Sequence, residues 1–250
     1  MSGTPPRPVR PDPRPAAAGA RPERIWYASY GSNTDPARLR AYLLGGRAAG
    51  AARPTPGCRD PRPPERSVAL ELPGRLHFAT RSPVWSGGRA FWDPDAGGTT
   101  WARAYLITLG QFSDIAAQEM YRTPGTAPDL DPAEALAHGR AALGPGRYET
   151  LVCPGFVAGL PVLTFTAPWR CGEVPGECPS AAYLRHLAAG LLDAGAWEAS
   201  AVARYLAAAP GAEGWTPERV AELMPGTRDP GPHTAKPTPG AGKESRRPSS

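Results

Sequence analysis

Apolar and polar residues alternate in short runs along the first half of the chain, which is the pattern of half-buried strands. The first run, residues 25–30, is aromatic and rich in residues that favour strands. Pro-Gly, Gly-Gly and Asp/Gly clusters separate the later runs and favour turns. Those later runs occupy residues 67–72, 75–80, 89–92 and 102–108. Strands in such close succession predict an antiparallel or mixed sheet that curves.

Helical periodicity dominates the second half of the chain. Nearer the start, Asp35 and Pro36 supply an N-cap and a first-turn proline for a helix over 37–44. Further helices are predicted over 110–121, 132–143, 180–193, 198–209 and 217–223, and a hairpin joins 148–153 to 161–167. No linker divides residues 25–224, so we expect one α+β domain, a small curved sheet or barrel flanked by helices.

Proline, glycine and positive charge are concentrated at the two ends of the chain. Residues 1–24 and 225–250 each carry five Lys or Arg against two Asp or Glu, so the ends account for the net charge of +5. We expect both ends to be disordered tails. The nearly neutral body lacks the basic surface that nucleic-acid-binding domains use. We therefore expect no nucleic-acid partner, and polyanion binding through the tails remains a minor alternative.

No apolar run approaches the ~18 residues of a membrane-spanning helix, and the first residues do not resemble a signal peptide. We therefore expect a cytoplasmic protein with no membrane partner, whose cysteines are free thiols. The histidines are scattered singly, so no metal site is expected. The cysteines are Cys58, Cys153, Cys171 and Cys178, and the histidines are His77, His138, His186 and His233.

Glu119 is a candidate catalytic residue because it lies on the apolar stripe of a helix. Phe112, Ile115, Ala116 and Glu119 stand at i, i+3, i+4 and i+7, which places the carboxylate on the buried face. Desolvation there would raise its pKa towards neutrality, as suits a group that takes and returns a proton. Alternatively, Glu119 lies at the edge of the stripe, or it pairs with Arg122 or another buried arginine.

The turn Tyr30-Gly31-Ser32-Asn33 is a candidate binding site between the first strand and the first helix. Consecutive backbone N–H groups in such a turn, with a helix N-terminus behind them, bind a carboxylate or a developing oxyanion. Gly31 allows the backbone to approach a ligand closely. The same residues also suit an ordinary strand–turn–helix connection.

Taken together, these residues resemble the γ-glutamylcyclotransferase-like family, whose YGSN signature matches Tyr30–Asn33. Further stretches resemble its other motifs in order: 75–78, 87–90, 102–108, the glutamate motif at 115–119 and the PSxxY motif at 179–183. The resemblance covers about residues 25–210. It implies a small mixed β-barrel flanked by helices, with Glu119 as acid and base and Tyr30, Gly31, Ser32 and Asn33 binding the substrate.

The implied reaction closes a γ-glutamyl group to 5-oxoproline and releases an amine or amino acid, without a metal or cofactor. The sequence departs from the family at Ile115 and Ala116, where Leu-Asp is usual, and at Met120, where Gly is usual. Met120 would reshape the pocket beside Glu119. The alternative function is a non-catalytic module of the same fold that binds γ-glutamyl ligands. The leaving amine and the oligomeric state are open, and we expect 47–66 and 122–147 to shape the choice of substrate.

Overall fold

The alternating runs form strands in the computed structural model, which describes residues 6–13 and 21–224. The strands are β1 Arg24–Ser29, β2 Arg66–Pro73, β3 Arg75–Ser82, β4 Gly87–Asp93, β5 Thr99–Thr108, β6 Arg140–Ala142, β7 Thr150–Val157 and β8 Leu160–Thr166. The helices are α1 Pro36–Leu44, α2 Leu109–Glu119, α3 Ala133–His138, α4 Ala181–Asp193, α5 Ala199–Ala207 and α6 Pro217–Ala221.

Six strands form a mixed sheet in the order β2-β5-β1-β8-β7-β6, and β3 and β4 form a separate antiparallel pair. The first strand, β1, is antiparallel to β5 and parallel to β8, so it lies inside the sheet. The α+β class is confirmed. The expected barrel is wrong in one respect, because β2 and β6 are the outer strands and do not pair with each other to close the sheet.

Residues 6–13 lie along the sheet instead of forming part of a disordered tail. Val9 makes two backbone hydrogen bonds to β2, at 2.9 and 2.8 Å, and Asp12 makes two to β7, at 2.8 and 2.9 Å. Both strands offer unpaired backbone groups at these positions, and an extended segment can satisfy them. The expectation of disorder over 1–24 is therefore wrong for 6–13. The second expected tail, 225–250, lies outside the described residues.

The two faces of β1 are buried in two apolar clusters. Trp26 and Ala28 belong to the cluster that includes Leu184 and Leu187 of α4. Ile25 and Tyr27 belong to the cluster that includes Phe112 and Ile115 of α2. This alternation follows from the two-residue period of a strand. It places the chain that leaves β1 between helices packed on both sides of the sheet.

One predicted helix is shorter than expected. The helix predicted over 132–143 ends at His138, because Gly139 adopts a left-handed conformation with φ of 80°. Residues 140–142 then pair with β7. The predicted N-cap of α1 is confirmed, since the Asp35 carboxylate accepts the backbone N–H of Ala37 at 2.8 Å.

The described part of the chain contains no helix with the length and apolar character needed to cross a membrane. All four cysteines are free thiols.

Candidate active site

The turn after β1 opens onto a cavity of about 70 Å³. Residues Ser32–Thr34 form a short 3-10 turn, in which Thr34 N–H donates to the Gly31 carbonyl at 3.0 Å and Asp35 N–H to the Ser32 carbonyl at 3.2 Å. Within the described residues, the backbone N–H groups of Gly31 and Asn33 have no acceptor. The turn therefore leaves these two backbone donors without a partner at the cavity.

Glu119 meets this turn at the cavity. It is the last residue of α2 and is half-buried. Its Oε1 atom lies 3.4 Å from Nδ2 of Asn33, which is 86 positions away in sequence. Asn33 Nδ2 also lies 3.3 Å from the Tyr27 hydroxyl. The fold thus brings together the two motifs that the sequence singles out.

The pairing of Glu119 with Arg122 is wrong. Arg122 forms its ion pair with Glu149. In the part of the chain that the structure describes, Glu119 has no ion-pair partner. Its carboxylate contacts an amide and, through a hydrogen bond, the Tyr42 hydroxyl. It therefore remains available to a ligand in the cavity.

Asn33 and Tyr30 play different parts in the turn. The Asn33 side chain is buried, and its Oδ1 atom has no partner within residues 6–13 and 21–224. The Tyr30 hydroxyl is also buried and donates to the Phe165 carbonyl at 2.7 Å. Tyr30 thus lines the cavity while its hydroxyl anchors the turn to β8. Asn33 offers an unsatisfied acceptor to whatever occupies the site.

Tyr183 of α4 holds the other side of the turn. Its hydroxyl accepts the backbone N–H of Ala90 at 3.0 Å, and it would lie 3.1 Å from a Cβ added at Gly31. Burial, together with the negative charge of Glu119, raises the pKa of Tyr183 to about 12. Tyr183 is therefore neutral at physiological pH. The PSxxY resemblance marked this tyrosine but gave it no role.

Arg38 and Tyr42 are functional candidates that the sequence analysis missed. Both lie on the buried face of α1 with Leu39 and Leu43. The Arg38 guanidinium lies 4.5 Å from the centroid of the Tyr42 ring and 5.2 Å from that of the Trp85 ring. The i, i+4 spacing of Arg38 and Tyr42 on an apolar stripe is the signal that would have found them, as it found Glu119.

Three expectations about the cavity wall are wrong. Met120 does not line the cavity but a second one, of about 60 Å³, together with Arg59 and Asp114. No residue of 47–66 or 122–147 lines the first cavity among the residues that the structure describes. The wall comes instead from the β3–β4 pair, which contributes Arg89 and the turn that precedes it. Glu119 and Met120 are neighbours at the end of α2, but they line different cavities.

Neutral hydroxyls surround the charged groups of the cavity. Burial raises the pKa of Tyr27, Tyr30, Tyr42 and Tyr148 well above the ordinary value, and the charge of Glu119 acts in the same direction on each. The site can therefore donate hydrogen bonds from hydroxyls and backbone N–H groups while one carboxylate accepts a proton.

No cluster of three or more His, Cys, Asp or Glu that could hold a metal occurs in the described ranges.

Comparison with known proteins finds sequence and backbone similarity over part of the chain. No protein-family model matches the chain. It is 33% identical to histone deacetylase 5 of Arabidopsis thaliana in an alignment of 187 positions, which covers 68% of this chain and 28% of the length of that relative.

Two solved structures are similar in backbone. A crystal structure of the uncharacterized protein loc79017 from Homo sapiens matches with a TM-score of 0.40 and 14% identity, over 70% of this chain and 82% of that one. A gamma-glutamyl cyclotransferase matches with a TM-score of 0.34 and 16% identity, over 69% of this chain and 81% of that one. With TM-scores below 0.5, neither likeness assigns an activity to this chain.

Proposed function

We propose that this protein cyclises a γ-glutamyl group to 5-oxoproline and releases an amine or amino acid. The observation that carries the proposal is the 3.4 Å contact between Glu119 and Asn33. It joins a half-buried carboxylate to a turn in which the backbone N–H groups of Gly31 and Asn33 have no acceptor among the described residues, at a cavity lined by both. A carboxylate facing hydrogen-bond donors across a small cavity is the arrangement that such an acyl transfer requires.

The proposed reaction is intramolecular. The α-amine nitrogen of the substrate forms a bond to the γ-carbonyl carbon, the five-membered lactam closes, and the bond from that carbon to the leaving nitrogen breaks. Two protons leave the α-ammonium: Glu119 takes the first before the attack and passes it to the leaving nitrogen, and the second, lost as the lactam forms, converts the released amine to its ammonium form, so that protons balance. Because amine and carbonyl belong to one molecule, the cavity accelerates the reaction by holding them in contact.

The turn contributes to binding and to charge stabilisation. The N–H groups of Gly31 and Asn33 donate to the glutamyl carboxylate or to the oxyanion that forms on the γ-carbonyl. The free Oδ1 atom of Asn33 accepts from the α-ammonium, which then lies next to Glu119. Tyr30 and Ser32 hold the turn in place, through the hydroxyl bond to Phe165 and the carbonyl that accepts Asp35 N–H. The reaction transfers no electrons, so the proposal requires no redox cofactor.

The test is the substitution Glu119→Gln, which keeps the size of the side chain and removes its basicity. We expect 5-oxoproline formation from a γ-glutamyl substrate, followed by mass spectrometry, to fall by about 10²–10⁴-fold. The exposed Glu134 on α3 provides the matched control, and Glu134→Gln should leave the rate unchanged.

Equal rates for Glu119→Gln and the unsubstituted protein would contradict the role of Glu119. If the unsubstituted protein bound γ-glutamyl compounds in calorimetry and released no 5-oxoproline, the alternative of a non-catalytic binding module would replace the enzyme.

A further inference from the structure

Two glutamines are buried on α2. Gln111 is 3% exposed and Gln118 is 6% exposed, and their positions at i and i+7 place both on one face of the helix. The side-chain amide of each is hydrogen-bonded to the loop between α1 and β2, and an amide buried without partners would be unfavourable. The two glutamines therefore fix α2 against this loop at two points, one in its first turn and one beside Glu119.

The amide of Gln118 also ties the end of α2 to the end of α1. Its Nε2 atom donates to the Tyr42 carbonyl at 3.1 Å and to the Asp114 carbonyl at 3.2 Å. Its Oε1 atom accepts the Gly57 N–H at 3.4 Å. Tyr42 lies in the last turn of α1, where helix carbonyls have no donor within the helix. Although Gln118 lines the cavity, both N–H groups of its amide are used in these contacts and are not free for a ligand.

Tyr42 meets α2 a second time, through its side chain. Its hydroxyl donates a hydrogen bond to the carboxylate of Glu119, the residue directly after Gln118. The same hydroxyl accepts from Nη2 of Arg38 at 3.3 Å, which leaves its own proton for the carboxylate. One tyrosine is thus held through its carbonyl by Gln118 and donates through its hydroxyl to Glu119. A shift of the last turn of α2 relative to α1 would break both contacts together.

The end of α2 depends on this support because its own termination is strained. The chain leaves the helix through Met120 and Tyr121, and Tyr121 adopts a left-handed conformation with φ of 57°. Glycine is the residue that suits this position, and a tyrosine there is unfavourable. Contacts of the last turn with the rest of the fold compensate for this strain, and the amide of Gln118 supplies one of them on the side of Tyr42.

We propose, on the basis of the proposed function, that Gln118 is a positioning residue whose amide holds the Tyr42 hydroxyl against the Glu119 carboxylate. Proton transfer by Glu119 requires its carboxylate to be held in one place relative to the reacting amine. In the proposed reaction the carboxylate or oxyanion of the substrate is bound by N–H groups of the turn after β1, which α2 does not carry. Loss of the amide should therefore slow the chemical step and leave substrate binding nearly unchanged.

The test removes the amide and keeps the approximate size of the side chain. Gln118→Met should lower kcat for 5-oxoproline formation by about ten- to a hundredfold, the range expected when a catalytic group is displaced by up to about 1 Å, and leave KM within about threefold. The probes are γ-glutamyl-alanine and γ-glutamyl-butylamine, and the one that the unsubstituted protein uses faster is followed by mass spectrometry.

Tyr42→Phe provides the second half of the test. Because Gln118 acts through the Tyr42 hydroxyl, adding Gln118→Met to Tyr42→Phe should lower kcat by less than about threefold further. A purely structural role of Gln118 would instead lower kcat by the same factor in both backgrounds. Full additivity of the two losses would therefore overturn the proposal.

Gln111→Met is the matched control. It removes the same kind of buried amide from the same helix, where Nε2 donates to the carbonyls of Asp60 and Arg62 at 3.2 and 2.8 Å, about two turns before Glu119. It should lower the urea midpoint of unfolding by an amount similar to that of Gln118→Met and leave kcat unchanged. An equal loss of kcat in the two variants, or no loss in Gln118→Met, would overturn the proposal.

A second variant covers the case in which Gln118→Met does not fold. Gln118→Glu keeps the acceptor for the Gly57 N–H and loses the donor to the Tyr42 carbonyl. The same loss of kcat is expected, and full activity of this variant would overturn the proposal.

The two proposals fail in different ways. If neither probe releases 5-oxoproline, the proposed function is wrong, and the link between Gln118 and the Tyr42 hydroxyl is then decided by unfolding in urea. A loss of stability in Gln118→Met that shrinks in the Tyr42→Phe background supports the link, and Gln111→Met should be additive with Tyr42→Phe. Additivity of Gln118→Met and Tyr42→Phe overturns it.

Discussion

The contact between Gly31 and Tyr183 leads to a prediction about a pair of substitutions. A Cβ at position 31 would lie 3.1 Å from the Tyr183 hydroxyl and 3.7 Å from the Cβ of Ala90. The second distance is an ordinary contact, but the first requires the hydroxyl to move. Tyr183 is buried, its ring packs against Trp85 at 5.5 Å between centroids, and its hydroxyl accepts the Ala90 N–H. It therefore has little room to give way.

The two substitutions should be strongly coupled. Tyr183→Phe alone leaves the buried Ala90 N–H without its acceptor, which costs about 1–3 kcal/mol. Gly31→Ala alone displaces the hydroxyl and weakens the same hydrogen bond, so we expect it to destabilise the fold by about 1 kcal/mol. In the Tyr183→Phe background the hydroxyl is gone. Gly31→Ala should then stabilise by about 0.4–1 kcal/mol, because alanine restricts the unfolded chain and Gly31 is extended.

Urea unfolding of the four proteins, followed by circular dichroism, gives the coupling free energy. We expect about 1–2 kcal/mol, well above the ~0.3–0.5 kcal/mol scatter of independent sites. Gly97→Ala is the control, because a Cβ there meets nothing within 4 Å, and it should be additive with Tyr183→Phe. Additivity of Gly31→Ala and Tyr183→Phe within that scatter would refute the contact.

Two further predictions concern pH. Burial raises the pKa of the cavity tyrosines, with Tyr183 at about 12, so these hydroxyls stay protonated in the folded state and ionise near 10 when unfolded. Their contribution to stability is complete below pH 10 and is lost as pH rises beyond it. Absorbance at 295 nm should show the tyrosinate of these buried residues, as distinct from that of the exposed Tyr121, only above the pH range in which tyrosinate forms in urea, and coincident titration curves would contradict this. Asp35 is the second group: burial raises its pKa, but hydrogen bonds from His186 and the backbone outweigh this and leave it below the ordinary 3.8. Its stabilisation is therefore present above about pH 4 and lost in acid. Asp35→Asn keeps the helix cap but removes the charge, so it should lower the free energy of unfolding at pH 7 by about 1–3 kcal/mol, as measured in urea, and weaken the loss of stability in acid. An unchanged urea midpoint would contradict the His186 contact.

The local sequence pattern was sufficient to predict features that lie within a single strand or helix. The strand near 25–30, the capped helix after Asp35 and the helix that carries Glu119 follow from periodicity and capping, which depend on neighbours in sequence, although this last helix ends at Glu119 and not at Tyr121 as predicted. The helix over 132–143 was overestimated because Gly139 ends it and β7 then takes up the following residues. Pairing with a distant strand leaves no trace in the local pattern.

The sequence by itself determined the α+β class, the Tyr30–Asn33 turn and the position of Glu119 on a buried stripe, because each depends on the spacing of residues within one element. Only the tertiary structure decided that Glu119 meets Asn33, that 6–13 pair with β2 and β7, and that the sheet stays open between β2 and β6. It alone placed the unpaired guanidiniums of Arg38 and Arg89 in the cavity. Whether a charge is partnered depends on groups far away in sequence, and those groups come together only when the chain folds.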